Sequence, residues 1–352
     1  MGENPDRIES LRDVPMARQT SLSPILRWIS LLLAVLVGST VFSTLLVMRC
    51  APESPPQPFA VIKPDSVASD SGSHIKVAMR KVNYHIDDDI VLELRFLKGE
   101  FVPQGKKPPV FEDPTTYDLR IRSATIAIDT LSLSRLLNRH VLGYKGAPIR
   151  DLHIRVDHDE IVQQGKMGAV SFTIRSKPLV NEDGRIRLHP TDVKVLGISV
   201  EGLMKTFGMT LEKSLHLKEE RGLSIDKNDL LLDPAKMLPP PKISGRLRAV
   251  TLEPDRLVQE FGEPDSLAPK AYFGGDHPAR NYMHYQGGTM RFGRLTMTPA
   301  DLLLVDSDQS DPFEFSLAHY HEQLVAGSHR TTPEDALVVS MPDYPAPSLS
   351  TR

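Results

Sequence analysis

Cysteine is nearly absent from this sequence, whose 352 residues include one, Cys50. A single thiol allows no internal disulfide and no zinc site built from cysteines. Neither sign of charge is in excess, because 42 basic and 45 acidic residues leave a net charge of -3. The sequence therefore gives no electrostatic reason to expect nucleic acid as a partner.

Catalytic and metal-binding signatures are also missing, since neither G-x-S-x-G nor H-E-x-x-H occurs. The segment "DSDQSDPFEF" begins at Asp306 like a calcium loop. However, Asp311 stands where that loop needs glycine, and Leu317 stands where it needs glutamate. We interpret the segment as the start of a helix, with Ser310 or Asp311 as its cap and Pro312 in its first turn. The sequence thus predicts no catalytic residue, no metal site and no cofactor.

One long apolar run is present, from Trp28 to Met48, and it contains no charged residue. At about 1.5 Å per residue, a helix of this length covers the roughly 30 Å of a bilayer core. Four arginines precede it, namely Arg7, Arg12, Arg18 and Arg27. By the positive-inside rule, the N-terminus is expected in the cytoplasm and the rest of the chain outside it. We expect a single-pass protein of a bacterial inner membrane, with its main domain in the periplasm.

The region after the apolar run predicts a retained anchor and a tether. A lipoprotein signal needs a small residue before the modified cysteine, but Arg49 precedes Cys50. An uncleaved anchor is therefore favoured, and lipidation of Cys50 stays an alternative. Residues 50–73 are rich in proline and serine and have no apolar period, which is typical of a semi-extended linker.

Beyond the linker, apolar and polar residues alternate in many short segments, which predicts antiparallel strands. The clearest hairpin is "KPLVNEDGRIRLHPTDVKV", residues 177–195, whose turn is Asn181 to Gly184. On either side of that turn the apolar residues fall on one face. Further strands are predicted at 75–79, 90–96, 119–128, 149–156, 223–225 and 243–252.

Two helices are predicted among these strands. In "TLSLSRLLNRHVL", residues 130–142, Thr130 is the candidate cap. Leu133, Leu136, Leu137 and Val141 share one face. His140 lies on the same face, and we interpret it as a core histidine with a satisfied hydrogen bond rather than as a ligand.

The second predicted helix is "VEGLMKTFGMTLEKSLHL", which begins at Val200. Its apolar stripe consists of Val200, Leu203, Met204, Phe207, Leu211 and Leu215. The stripe either packs on the sheet as ordinary core or forms one wall of a groove for lipid. Methionine and leucine suit such a wall, because both adapt to the shape of a partner.

The order of these elements, closed by "KNDLLLDPAKMLPPPKISGRLRAVTLEPDRLVQEFG", resembles the LmeA-like bacterial proteins of the TULIP (tubular lipid-binding) superfamily. The resemblance covers about residues 117–262. It implies an α+β fold in which a strongly curved antiparallel sheet wraps a long amphipathic helix. It also implies an apolar groove for a phospholipid or glycolipid. The expected lipid-binding residues are Leu203, Met204, Phe207, Leu211 and Leu215, together with Leu133, Leu136 and Leu137.

The predicted organisation has six parts: a cytoplasmic tail (1–24), a transmembrane anchor (25–49), a linker (50–73), the lipid-binding domain (74–262), a C-terminal extension (263–344) and a disordered tail (345–352). The extension departs from the family pattern. Its predicted elements are strands at 290–297 and 302–305, a helix at 312–325 and a strand at 336–341. It could cap the groove, extend the sheet or contact an envelope partner.

Three functions are compatible with these patterns. The first is a membrane-anchored protein that holds or presents a lipid and does no chemistry of its own. The alternative is a structural or adaptor protein of the cell envelope with a packed interior. An enzyme acting on envelope glycolipids is the weakest hypothesis, because no acid, base or nucleophile constellation is visible.

Overall fold

The computed structural model describes residues 74–199, 217–262 and 279–345. Of these residues, 57% are in strands and 12% in helices. The strands are β1 (Ile75–Asp87), β2 (Ile90–Pro103), β3 (Tyr117–Asp129), β4 (Ile149–Asp157), β5 (Glu160–Met167), β6 (Val170–Val180), β7 (Ile186–Val195), β8 (Ile198–Ser199), β9 (Leu223–Asp226), β10 (Asp229–Leu232), β11 (Lys242–Ser244), β12 (Leu247–Glu253), β13 (Arg256–Phe261), β14 (Tyr282–Gln286), β15 (Met290–Phe292), β16 (Leu295–Met297), β17 (Asp301–Asp306), β18 (Phe313–Ser316), β19 (Ser328–Thr331) and β20 (Leu337–Met341).

Helices are few and short. They are α1 (Thr130–Leu136), which continues as a π-helical turn (Leu137–Val141), α2 (Pro234–Met237) and α3 (Tyr320–Ala326), with 3₁₀ turns at Pro114–Thr116 and Glu219–Arg221. The predicted α+β fold with a long central helix is therefore wrong for the described residues, which are mostly strand. The physical reason is that helical periodicity in this region never extends beyond a few turns, whereas period-2 alternation recurs throughout.

Several predictions lie outside the described residues. They concern the tail, anchor and linker (1–73), the amphipathic stripe of residues 200–216 and the last residues (346–352). Among the residues that the structure describes, no helix is long and apolar enough to cross a membrane.

The larger sheet has eleven strands, in the order β12-β13-β3-β2-β1-β14-β17-β20-β19, with β11 beside β3 and β18 beside β1. It is curled into a half-barrel. Irregular pairing interrupts the ladders of β1 with β2 and of β2 with β3, the latter at Leu94 and at Gly99. Such bulges increase the local twist and bend a sheet. A Cβ at Gly99 would lie 2.6 Å from the Arg120 carbonyl oxygen, so only glycine fits this bend.

The smaller sheet has seven strands in the order β4-β5-β6-β7-β10-β9, with β8 beside β7. The predicted hairpin is confirmed as β6 and β7, with Val180 opposite Ile186. Its turn is formed as expected, because Gly184 has a φ of 80° and the Arg185 amide donates to Asn181 Oδ1 at 2.8 Å. Because side chains alternate along a strand, every second residue of β6 and β7 faces the larger sheet.

The C-terminal region completes the larger sheet. Its predicted strands at 302–305 and 336–341 are confirmed as β17 and β20, which pair in parallel. The predicted helix at 312–325 is wrong in its first half, since residues 313–316 form β18 and only α3 is helical. Phe313 and Phe315 alternate with polar neighbours and are fully buried beside β1, so sheet pairing overrides the helical pattern.

Candidate functional site

An apolar cavity of about 100 Å³, called cavity 1 here, lies between the two sheets. One wall is formed by β3 and β13 of the larger sheet, and the other by β4 to β7 with β9 and β10 of the smaller sheet. Helices α1 and α2 complete the lining. None of the described lining residues is charged, and four are polar: Gln163, Ser176, Asn228 and Gln259.

Helix α1 is placed against this cavity by its cap and by two links to β4. The cap is Asp129 rather than the predicted Thr130, since Asp129 Oδ1 accepts from the Leu131 and Ser132 amides, both at 2.9 Å. Asn138 exchanges two hydrogen bonds with the backbone of Leu152, at 2.6 and 3.0 Å. These bonds fix the rotation of the helix about its axis.

This rotation directs the predicted leucines inward. Leu133, Leu136 and Leu137 are 5%, 2% and 3% exposed, and all three line cavity 1. The other five predicted lipid-binding residues, Leu203, Met204, Phe207, Leu211 and Leu215, lie outside the described residues.

The polar groups of cavity 1 are incompletely paired. Gln163 donates to Ser176 Oγ at 3.2 Å. The side-chain oxygen of Gln259 is buried and has no hydrogen-bond partner within the described chain. A buried acceptor without a donor is costly, so cavity 1 offers an occupant one place for a hydroxyl or amide group.

A second cavity, called cavity 2, has a volume of about 430 Å³ and lies against the inner face of β1, β2 and β3. Pro239 to Pro241 and β18 form its other sides. Five residues line both cavities: Leu92, Ile121, Ile126, Leu238 and Ile243. The two cavities therefore adjoin, and we call them together the lumen.

The lumen changes in character along its length. Cavity 1 is lined almost entirely by aliphatic side chains, whereas cavity 2 is also lined by His85, Asp87, Glu112 and His140. The side chains of Asp87 and His140 are 32% and 26% exposed, so the lumen reaches solvent beside them. Its interior end is apolar and its open end is charged.

The charged end is a defined ion-pair cluster. Arg139 Nη1 lies 2.8 Å from both Asp87 Oδ2 and Asp89 Oδ1, and His140 Nε2 lies 2.9 Å from Asp87 Oδ2. Burial opposes ionisation of Asp87, but the hydrogen bonds from Arg139 and His140 outweigh it and lower the pKa of Asp87. This carboxylate stays ionised at neutral pH. The predicted hydrogen bond of His140 is present, with a partner 53 residues away in the sequence. The predicted core position is wrong, because the His140 side chain is 26% exposed at the open end of the lumen.

The strand residues that line cavity 1 were missing from the predicted site. Ile154, Ile174 and Leu188 belong to the alternating pattern that predicted the strands, but alternation alone does not show which face meets a cavity. The available signal was the long series of inward-facing isoleucine and leucine residues over residues 149–188.

Comparison with known proteins identifies no relative. No protein-family model matches the chain, and neither a characterised protein nor a solved structure is similar to it. The resemblance to LmeA-like proteins consequently stays a prediction.

Proposed function

We propose that this protein is a membrane-anchored lipid-binding protein whose domain holds an acyl chain in the lumen. The observation that carries the proposal is the adjoining pair of cavities, one of which has no charged residue in its described lining. Cavity 2, at about 430 Å³, falls in the range of about 300 to 1,000 Å³ that is usual for small-molecule sites.

The energetics require such a lining. Exposing a chain of about 14 methylenes to water costs roughly 11 kcal/mol, at about 0.8 kcal/mol per methylene. An acyl chain therefore leaves a bilayer only for surroundings that are equally apolar. Ile and Leu side chains of both sheets and of α1 supply these surroundings in cavity 1.

The polarity gradient of the lumen orients the occupant. The acyl chain lies toward cavity 1, and the polar head lies by Asp87, Arg139 and His140 at the open end. A phospholipid or glycolipid has this division. The predicted anchor at 28–48 and the linker at 50–73 would keep the lumen near the membrane from which it loads.

The test uses the full chain in vesicles that contain a phospholipid with a photoreactive diazirine in its acyl chain. After irradiation, we expect labelled peptides from β3, β6 and α1, because these elements line cavity 1. Labelling confined to the predicted span at 28–48 would contradict the proposal and favour the adaptor hypothesis, in which residues 263–344 bind a partner.

A matched pair of variants sharpens the test. Ile174→Glu places a charge in the wall of cavity 1 and is expected to abolish labelling of the domain. Leu179→Glu lies on the same strand, where Leu179 is 58% exposed, and should leave the labelling unchanged. Circular dichroism of both variants checks that the sheets form.

A further inference from the structure

Three carboxylates gather at one end of the larger sheet, and none of the three residues lines the lumen. Asp306 is the last residue of β17, Asp311 precedes β18, and Asp343 follows β20. Each offers an oxygen atom, and these atoms lie within 4.8 Å of one another. In the part of the chain that the structure describes, none of the three forms an ion pair with a cationic side chain.

Such a gathering is electrostatically unfavourable by itself. The Asp306 residue is only 2% exposed, so water screens little of this repulsion.

An independent observation involves Asn281, which is 1% exposed. Its side-chain nitrogen donates to Asp306 Oδ2 at 3.2 Å and to the main-chain carbonyl of Asp311. Its side-chain oxygen is buried and finds no hydrogen-bond partner among the described residues. The amide nitrogen is thus directed into the carboxylate cluster, and the amide oxygen is unsatisfied within the described chain.

We propose that Asp306, Asp311, Asp343 and Asn281 form a calcium-binding site. A half-turn of the Asn281 amide exchanges its nitrogen and oxygen and presents the oxygen to the ion. With the three carboxylates and the Asp311 carbonyl, this gives five protein oxygen donors, and water completes the six to eight that calcium takes.

The donor set selects calcium among common cations. All the donors are hard oxygen atoms, which excludes a preference for zinc or copper. Magnesium usually keeps several waters and uses one or two carboxylates, whereas calcium accepts a cage of carboxylate, amide and main-chain oxygens. Three carboxylates also more than neutralise a divalent charge.

The fold brings these residues together from separate segments. The parallel pairing of β17 and β20 places Asp306 opposite Met341, so the chain reaches Asp343 two residues later. Tyr282, which follows Asn281, pairs with Val305 in the antiparallel ladder of β14 and β17. The segment from Asp306 fails as a linear calcium loop because two of its ligands come from other strands.

Calcium titration of the full chain by isothermal calorimetry, in detergent and after chelator treatment, tests the site. The titration should reach millimolar calcium, since extracellular modules bind with dissociation constants of about 10⁻⁴ to 10⁻³ M. We expect one calcium ion per chain and much weaker binding of magnesium. Absence of calcium binding, or equal binding of magnesium, would overturn the proposal.

Variants in the same loop localise the binding. Asp311→Asn and Asp343→Asn should each weaken calcium binding by roughly tenfold or more, because each removes a charged ligand. Asp308→Asn is the matched control: Asp308 is exposed and its carboxylate accepts from the Ser310 amide. Equal calcium affinity of all three variants and the unmodified chain would contradict the assignment.

Thermal unfolding separates ion binding from a purely structural role. With chelator, Asp311→Asn should unfold at the same or a higher temperature than the unmodified chain, because it relieves repulsion. With calcium, the order should reverse. A lower unfolding temperature of this variant under both conditions would show that the carboxylate stabilises the fold without an ion, and the proposal would fail.

Discussion

The two ends of the larger sheet are packed in different ways. In the C-terminal part, β14, β17 and β20 bury Met283, Leu302 and Leu304 completely, and none of these lines either cavity. Around β3 and the smaller sheet, residues that are just as apolar leave a lumen open. The difference teaches that apolar composition alone does not determine whether a sheet face becomes a solid core or a cavity. What differs is the facing layer: helix α3 contacts β20 in the first case, whereas the smaller sheet faces β3 across cavity 1 in the other.

This contrast is tested most sharply by removing one phenylalanine ring from the packed C-terminal region and one from the wall of cavity 1. Phe313→Ala removes a fully buried ring from the packed region and should lower the free energy of unfolding by about 3 to 5 kcal/mol. Phe172→Ala removes a ring that faces cavity 1 and already lacks some neighbours, so its cost should be smaller. Urea denaturation of both variants measures the difference, and equal losses would show that the two regions are packed alike.

A smaller effect is expected when a side chain is enlarged. Leu304→Phe overfills the packed region and should destabilise the protein by about 1 to 3 kcal/mol. Leu188→Phe grows into cavity 1, so we expect a stability change of less than about 1 kcal/mol and weaker acyl labelling. Strong destabilisation by Leu188→Phe would mean that cavity 1 has no room for an occupant.

The smallest effect concerns ion pairs on the smaller sheet. Arg175 lies 2.9 Å from Asp157 and 2.7 Å from Glu160, and its hydrogen bond is the largest influence that lowers the pKa of Asp157. A lowered folded-state pKa contributes stability above the unfolded pKa of about 4, and that contribution is lost as the pH falls. Arg175→Gln should therefore lower the unfolding temperature slightly at pH 7.

Acidic pH should reduce the difference in unfolding temperature between Arg175→Gln and the unmodified chain. At pH 3 their unfolding temperatures should lie closer together than at pH 7, because Asp157 is mostly protonated in the unfolded chain at that pH. An unchanged difference across this pH range would indicate that Arg175 acts through packing of its aliphatic stem.

Local patterns predicted the strands and α1 well, because each depends on residues close together in the sequence. The hairpin of β6 and β7 and the inward face of Leu133, Leu136 and Leu137 are examples. Residues 313–316 were predicted incorrectly as helix, because pairing with β1 decides the conformation of Phe313 and Phe315. No local pattern reveals a partner strand more than 200 residues away.

The candidate sites likewise combine residues that a local pattern can predict with residues that only the folded structure brings together. The leucines of α1 could be predicted as part of an apolar wall, but the matching wall on β4 to β7 needed the packing of the two sheets. The ion pair of His140 with Asp87 and the meeting of Asp343 with Asp306 join separate segments. A group of side chains that meets only across a sheet cannot be recognised in any single stretch of sequence.

The pairing of β1 has a consequence for biosynthesis. Asn83 of β1 pairs with Glu314 of β18, and 231 residues separate them. At about 5 to 20 residues per second, a ribosome needs roughly 10 to 50 s to make the intervening chain. During that interval, one edge of an early hairpin lacks its final neighbours and is open to aggregation. The β1 edge of this hairpin is therefore completed only when the last strands of the chain emerge.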